Sequence, residues 1–276
     1  MKTLLVPTDF SANSYNACKL ARTLAGSTGA EIHLLHVVYT PADWELMTDE
    51  MKSHYPESQK KVSDAEAKLK ELSQDVLFTG VDIKSSLAYG APIDSINRYL
   101  SKQEVDLVVV GSHGSASKAD LFIGSNTQKV MRNTHVPVIA VKGNYELPEV
   151  NKILFASNFG ADAHAPFQRI RKIAQALSAE LELLYVNTPH EFKNSEDIEA
   201  ILDAFIDANK AKGEVKVSVR NNKDVAQGIL THCQNIKADM AALVTHRKAS
   251  SAHYLMGVTE HLVFKAPFPV ISINVS

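Results

Sequence analysis

The chain has 276 residues, 45% of them hydrophobic, and a formal net charge of −2. That length exceeds what one compact domain usually needs, so two domains are expected. The charge balance points to neither a nucleic-acid partner nor a membrane surface, no apolar run reaches the roughly eighteen residues that span a bilayer, and the two cysteines, Cys18 and Cys233, form no zinc pattern.

In chain order, a strand is expected near 3–8, closing on Val6-Pro7-Thr8-Asp9-Phe10-Ser11, and a helix near 12–27. A strand near 31–38 carries Leu34-Leu35-His36-Val37. Residues 39–54 hold the sole tryptophan, Trp44, which reads as a lid or as an interface anchor. A helix near 57–77 shows one apolar stripe of Ala65, Leu69 and Leu72, with Ser63 as a candidate cap. A strand near 81–88 leads through Gly90-Ala91-Pro92 into a helix near 91–103, and a strand near 105–111 is followed by a helix near 124–134 and a strand near 136–142. Runs such as Leu107-Val108-Val109-Val110 are continuous rather than alternating, which argues for a parallel sheet covered on both faces. Strand–helix alternation at this spacing makes right-handed βαβ units and a doubly wound sheet.

The second half repeats these signals in the same order. Lys152 to Phe159 parallels Lys2 to Phe10 with one residue fewer, Leu183-Leu184-Tyr185-Val186 parallels Leu34 to Val37, and Ala238 to Thr245 parallels Val105 to Gly111. Gly257 answers to Gly124, and Pro269-Val270 to Pro137-Val138. The fold expected is therefore two tandem doubly wound parallel five-stranded sheets, Rossmann-like, over 1–146 and 147–276. The turn-rich stretch Gly143 to Glu149 joins them. The first half carries about fifteen extra residues after its second strand, from Tyr39 to His54.

The chemistry concentrates between Val108 and Val138. An apolar strand ends in Gly111, followed by Ser112, His113 and Gly114 and, after nine intervening residues, by Gly124, Ser125 and Asn126. Corner glycines permit positive φ and a close backbone approach. A helix opening on Gly-Ser offers N–H groups that suit phosphate. No Gly-Lys-Ser/Thr follows, so this is not a Walker loop, and it is not the dinucleotide fingerprint either. In an open parallel sheet the ligand crevice lies at the strands' carboxyl ends, at a topological switch point. Asp9, Val37 and Gly111 all end strands there. Asp9 can accept bonds from a ribose hydroxyl or an adenine amine, and the Val37 main chain can bond a base edge. Backbone N–H groups around Gly111, Gly114, Gly124 and Ser125 can hold phosphates.

The glycine loop, the aspartate closing the first strand, Leu-Leu-His-Val and Gly90-Ala91-Pro92 together resemble the universal stress protein family, and the likeness covers the whole first half. The resemblance implies an adenine nucleotide alpha hydrolase-like fold and ATP, or another adenine nucleotide such as ADP or AMP. That nucleotide would sit at Pro7, Thr8, Asp9, Val37, Gly111, Ser112, His113, Gly114, Gly124, Ser125 and Asn126, with Mg²⁺ bridging the phosphates. It also implies that the two halves pair through their fifth strands, as single-domain members dimerise, with further homodimerisation open.

Plainer readings stand beside these. Asp9 could cap the first helix. His113 reads as a solvated donor rather than a general acid–base, His36 as a satisfied core histidine, and Lys118 and Lys129 as solvated. In the second half Asn158 replaces the aspartate, Thr245-His246-Arg247-Lys248 replaces Gly-Ser-His-Gly, and the spacing to Gly257 is one residue shorter. That half reads as degenerate. The expected function is a cytoplasmic, ATP-binding, stress-response regulator without dedicated enzymatic activity. A slow ATPase and a non-binding scaffold are the alternatives. Metal-ligating and catalytic side chains are not expected, nor are nucleic-acid or membrane partners. No secretory signal peptide is expected, since the run before Pro7 is short.

Overall fold

The computed structural model describes residues 1–41, 43–112, 124–143, 148–246 and 257–275. The first half runs β1 (Thr3–Thr8), α1 (Ala12–Thr28), β2 (Glu31–Val38), α2 (Asp49–Ser53), α3 (Pro56–Ser73), β3 (Ile83–Tyr89), α4 (Pro92–Lys102), β4 (Leu107–Gly111), α5 (Ser125–Asn133) and β5 (Val138–Val141). The second half runs β6 (Lys152–Ala156), α6 (His164–Ala176), β7 (Glu180–Asn187), α7 (Ser195–Ala208), β8 (Val215–Asn221), α8 (Val225–Ile236), β9 (Met240–His246), α9 (Val258–Lys265) and β10 (Val270–Val275).

The strands form one ten-stranded sheet in the order β3-β2-β1-β4-β5-β10-β9-β6-β7-β8. Each half is parallel within itself, and the chain reverses its strand order between β1 and β4, the switch point of a doubly wound sheet. Helices cover both faces. One apolar layer joins Leu24 and Leu69 to Phe167 and Phe205, and the other joins Ile96 and Met131 to Ile229 and Val263. Both layers cross the junction of the halves without interruption.

That junction is the antiparallel pair β5–β10, as expected for fused dimer edges. Its register is Val270 opposite Ala140, Ile271 opposite Ile139 and Ser272 opposite Val138. Val270, Ile271 and Ser272 are the repeats of Val138, Ile139 and Ala140. The pairing is thus symmetric about Ile139–Ile271, the signature of a pseudo-two-fold axis. The join leaves neither apolar fifth strand as an open edge.

The register also corrects the sequence alignment of the repeats. Thr3 stands opposite Glu31 and Lys152 opposite Glu180, so Lys152 answers to Thr3 and no residue is missing before Phe159. Gly111 stands opposite Val141 and Val244 opposite Ile273, so Val244, not Thr245, occupies the place of Gly111. The spacing to the following glycine is then equal in the two halves. An apolar run carries no internal mark of register, which is why sequence pattern alone slipped by one. Ser63 does not cap a helix: α3 already begins at Pro56, and it ends at Ser73. A separate 3₁₀ turn, Val76–Phe78, follows and is capped by Asp75.

Candidate functional site

The sheet opens at the switch point of the first half. The β1–β4 ladder consists of Leu4–Leu107 and Leu5–Val108, whereas the equivalent β6–β9 ladder continues through Phe155–Ala242 and Ala156–Leu243. The residue at the place of Ala156 is Pro7, which has no N–H to give to a ladder and is poorly tolerated between two strands. Proline thus separates β1 from β4 just before the segment carrying Thr8 and Asp9.

Beyond Pro7 the chain is tightly tied. Thr8 is buried, and its Oγ1 accepts from the Phe10 N–H at 3.1 Å. Asp9 is exposed, and its Oδ1 accepts from the Ser11 N–H at 3.1 Å. Ser11, not Asp9, is the N-cap of α1: its Oγ accepts from the Ser14 N–H at 3.2 Å. Asp9 therefore shapes the turn before the helix and presents its carboxylate at the surface of the crevice.

Phe10, which sequence reasoning passed over, has φ 61° and stacks on His36 with ring centroids 4.4 Å apart. The repeated Phe159 shares the left-handed backbone at φ 57°, so the recurrence of phenylalanine after Asp and Asn was a readable signal. His36 is half-buried at the end of β2 rather than in the core; its Nδ1 donates to the Thr8 carbonyl at 2.7 Å. Burial lowers its pKa below the usual histidine value. Val37 lies one residue beyond the last β1–β2 pair, Thr8–His36.

Gly111 does not have positive φ, and neither does Gly124, whose φ is −57°. The reason for glycine at 111 is packing: a Cβ there would lie 2.5 Å from the Asn13 carbonyl oxygen in the first turn of α1. The glycine lets α1 dock on the end of β4. Ser112 is buried and its N–H donates to the Val141 carbonyl at 2.8 Å. The chain returns beside it: the Gly124 N–H donates to the Ser112 carbonyl at 2.9 Å, and Thr127 Oγ1 donates to the Gly111 carbonyl at 2.7 Å. Gly124 caps α5, and Ser125 and Asn126 are exposed on its first turn. The structure thus gathers Pro7, Thr8, Asp9, Val37, Gly111, Ser112, Gly124, Ser125 and Asn126 at the carboxyl ends of β1, β2 and β4. His113 and Gly114 lie outside the described residues, as do Lys118, Arg247 and Lys248.

Trp44 is 4% exposed, sits edge-on to Tyr55 at 6.5 Å and has Lys52 Nζ 5.8 Å from its ring, so its indole is packed within its own chain. Cys18 and Cys233 are buried and free, and burial pushes both thiols up to about 12. A cavity of about 670 Å³ lies at the opposite, amino ends of the strands, beside Asp106, His135 and Arg169. Strand polarity, rather than cavity size, locates the crevice.

The universal stress protein family model matches residues 1–142 and again residues 149–274. A universal stress protein of Methanocaldococcus jannaschii is 31% identical over 149 residues, covering 51% of this chain and 82% of its own. Universal stress protein G of Escherichia coli O157:H7 is 28% identical over 144 residues, covering 51% of this chain and 99% of its own. A universal stress protein crystal structure from Archaeoglobus fulgidus superimposes with a TM-score of 0.77 at 21% identity, covering 99% of this chain and 98% of its own. These two curated relatives are thus about the size of one half, and the last fold matches the tandem whole.

Proposed function

The chain belongs to the universal stress protein family along both halves, and from that premise we propose that its first half binds one adenine nucleotide, ATP in the first instance, as a cytoplasmic stress-response regulator. The observation that carries the reading is the opening of the sheet at Pro7, flanked by the Asp9 carboxylate on one side and the start of α5 on the other. Asp9 accepts from ribose hydroxyls or the base. The Val37 main chain meets the base edge. The first-turn N–H groups of α5 and the Ser125 hydroxyl take the phosphates, where the helix dipole favours negative charge. ADP and AMP would use the same nucleoside contacts with fewer phosphate contacts. Mg²⁺ fits as a phosphate-held ion that keeps most of its waters, needing few protein ligands. In this reading the nucleotide domain spans 1–146 and its unliganded companion 147–276.

Native mass spectrometry of protein purified without added nucleotide identifies what the first half retains. Asp9→Asn isolates the carboxylate's role, because Asn158 makes the same turn by accepting from the Gly160 N–H at 3.2 Å. We expect unchanged stability and about tenfold weaker ATP binding, near the loss of one charge-assisted bond. Equal affinity in wild type and Asp9→Asn would remove Asp9 from the site. Slow hydrolysis is the second reading, tested by product formation in wild type against Asp9→Asn.

A further inference from the structure

The second half holds the helix that the first half offers to phosphate. Asn274, on β10, donates through Nδ2 to the carbonyls of Met131 and Thr134 at 2.7 and 2.8 Å. These belong to the last turn and C-cap of α5, whose final carbonyls have no partner within the helix. Asn274 Oδ1 is buried and makes no hydrogen bond, so the side chain serves here as a double donor. In the same last turn, Arg132 Nε donates to Glu260 Oε1 at 2.5 Å, and the other carboxylate oxygen accepts from the Gly257 N–H at 2.6 Å. At its opposite end α5 is tied to its own half by Thr127 Oγ1 and the Gly111 carbonyl.

α5 has nine residues, below the roughly 12–15 at which a helix sustains itself in water. Its direction is therefore set by what grips it, and so is the direction of its first-turn N–H groups. We infer that Asn274 is a positioning residue for the nucleotide, reaching from the second half to aim α5 at the phosphates. The inference rests on the nucleotide reading above.

The pseudo-two-fold axis supplies an internal control. Lys142 occupies the place of Asn274 in the first half, and its Nζ donates to the Phe264 carbonyl of α9 at 2.7 Å while lying 5.1 Å from the Phe264 ring centroid. It bridges the same interface but grips the helix of the second half.

The test is ATP titration by calorimetry of the full chain as wild type, Asn274→Ala, Asn274→Asp and Lys142→Ala. We expect Asn274→Ala to weaken binding about tenfold, in line with the loss of two buried donors. Asn274→Asp, of the same shape but facing two carbonyl oxygens with an acceptor, should weaken it further. Lys142→Ala should lower the melting temperature and leave affinity within about twofold. If Asn274→Asp fails to fold, Asn274→Ala decides. Equal affinity in wild type and Asn274→Ala would overturn the positioning role, and so would equal weakening by Asn274→Ala and Lys142→Ala, which would mean a loosened interface. A wild-type chain that binds no adenine nucleotide would overturn the nucleotide reading itself and this inference with it.

Discussion

The two halves share a hydrogen-bonded frame and differ in the room it leaves. In both, a hydroxyl at the end of the first strand, Thr8 or Ser157, accepts from the N–H two residues on, and Asp9 or Asn158 does the same one step later. In both, Asp106 or Asp239 accepts from the two N–H groups that start the first strand. The differences lie at the carboxyl ends. Where the first half has Pro7 and a short β1–β4 ladder, the second has Ala156 and a ladder that closes. Gly111 admits the first turn of α1, which starts at Ala12 under a Ser11 cap. At Val244 there is no such admission, and a 3₁₀ turn, Ala161–Ala163, precedes α6, which starts only at His164. The start of α9 is met by its own Glu260 carboxylate, which is 6% exposed and tied to Arg132 of the other half. His246 and Asp162 make a further direct contact across the same end. Among the described residues the second half thus keeps the turn after its first strand, but its ladder fills the strand ends and its own carboxylate meets the start of α9.

Each difference can be reversed or removed. The largest effect should come from Gly111→Val, which copies the second half into the first. The new Cβ would meet the Asn13 carbonyl at 2.5 Å, and main chain cannot yield as a flexible side chain does. About 3 kcal/mol of lost stability in urea unfolding is expected from such overpacking; a change below about 1 kcal/mol would show that α1 is free to retreat as α6 does. Next is Arg132→Ala, which strands a buried carboxylate against the start of α9. Arg132 is itself partly exposed, so a loss of about 2 kcal/mol, below the full cost for a buried pair, is expected in the same assay. The smallest is Pro7→Ala. It should let the β1–β4 ladder extend, adding about 1 kcal/mol of stability for the restored bond. Amide exchange at position 7 should then be protected, and ATP binding weakened, because the crevice narrows. An unprotected amide with unchanged affinity would separate Pro7 from the opening.

Much of this was legible in the sequence. In the first half the expected strands lie within two residues of their observed bounds, and the prolines before Val138 and Val270 marked the two edges that pair. The glycine spacing singled out the end of β4 and the start of α5. What stayed hidden depends on neighbours that sequence order does not reveal. The cap fell to Ser11 because Asp9 is used one step earlier in the turn. Gly111 turned out to be a contact with Asn13, nearly a hundred positions away. Glu260 meets its partner Arg132 across 128 positions of chain, and nothing near Asn274 in the chain suggests α5. His36 sat in an apolar strand, but the strand's last turn of register places it on Phe10 at the crevice.

The asymmetry of the halves is tested most directly by calorimetric titration of the full chain with ATP and Mg²⁺. The account predicts one nucleotide per chain, with the site abolished by Gly111→Val and untouched by changes at Val244. A stoichiometry near two would mean that the second half, with Val244 and Glu260 in place, still opens to nucleotide, and would contradict it.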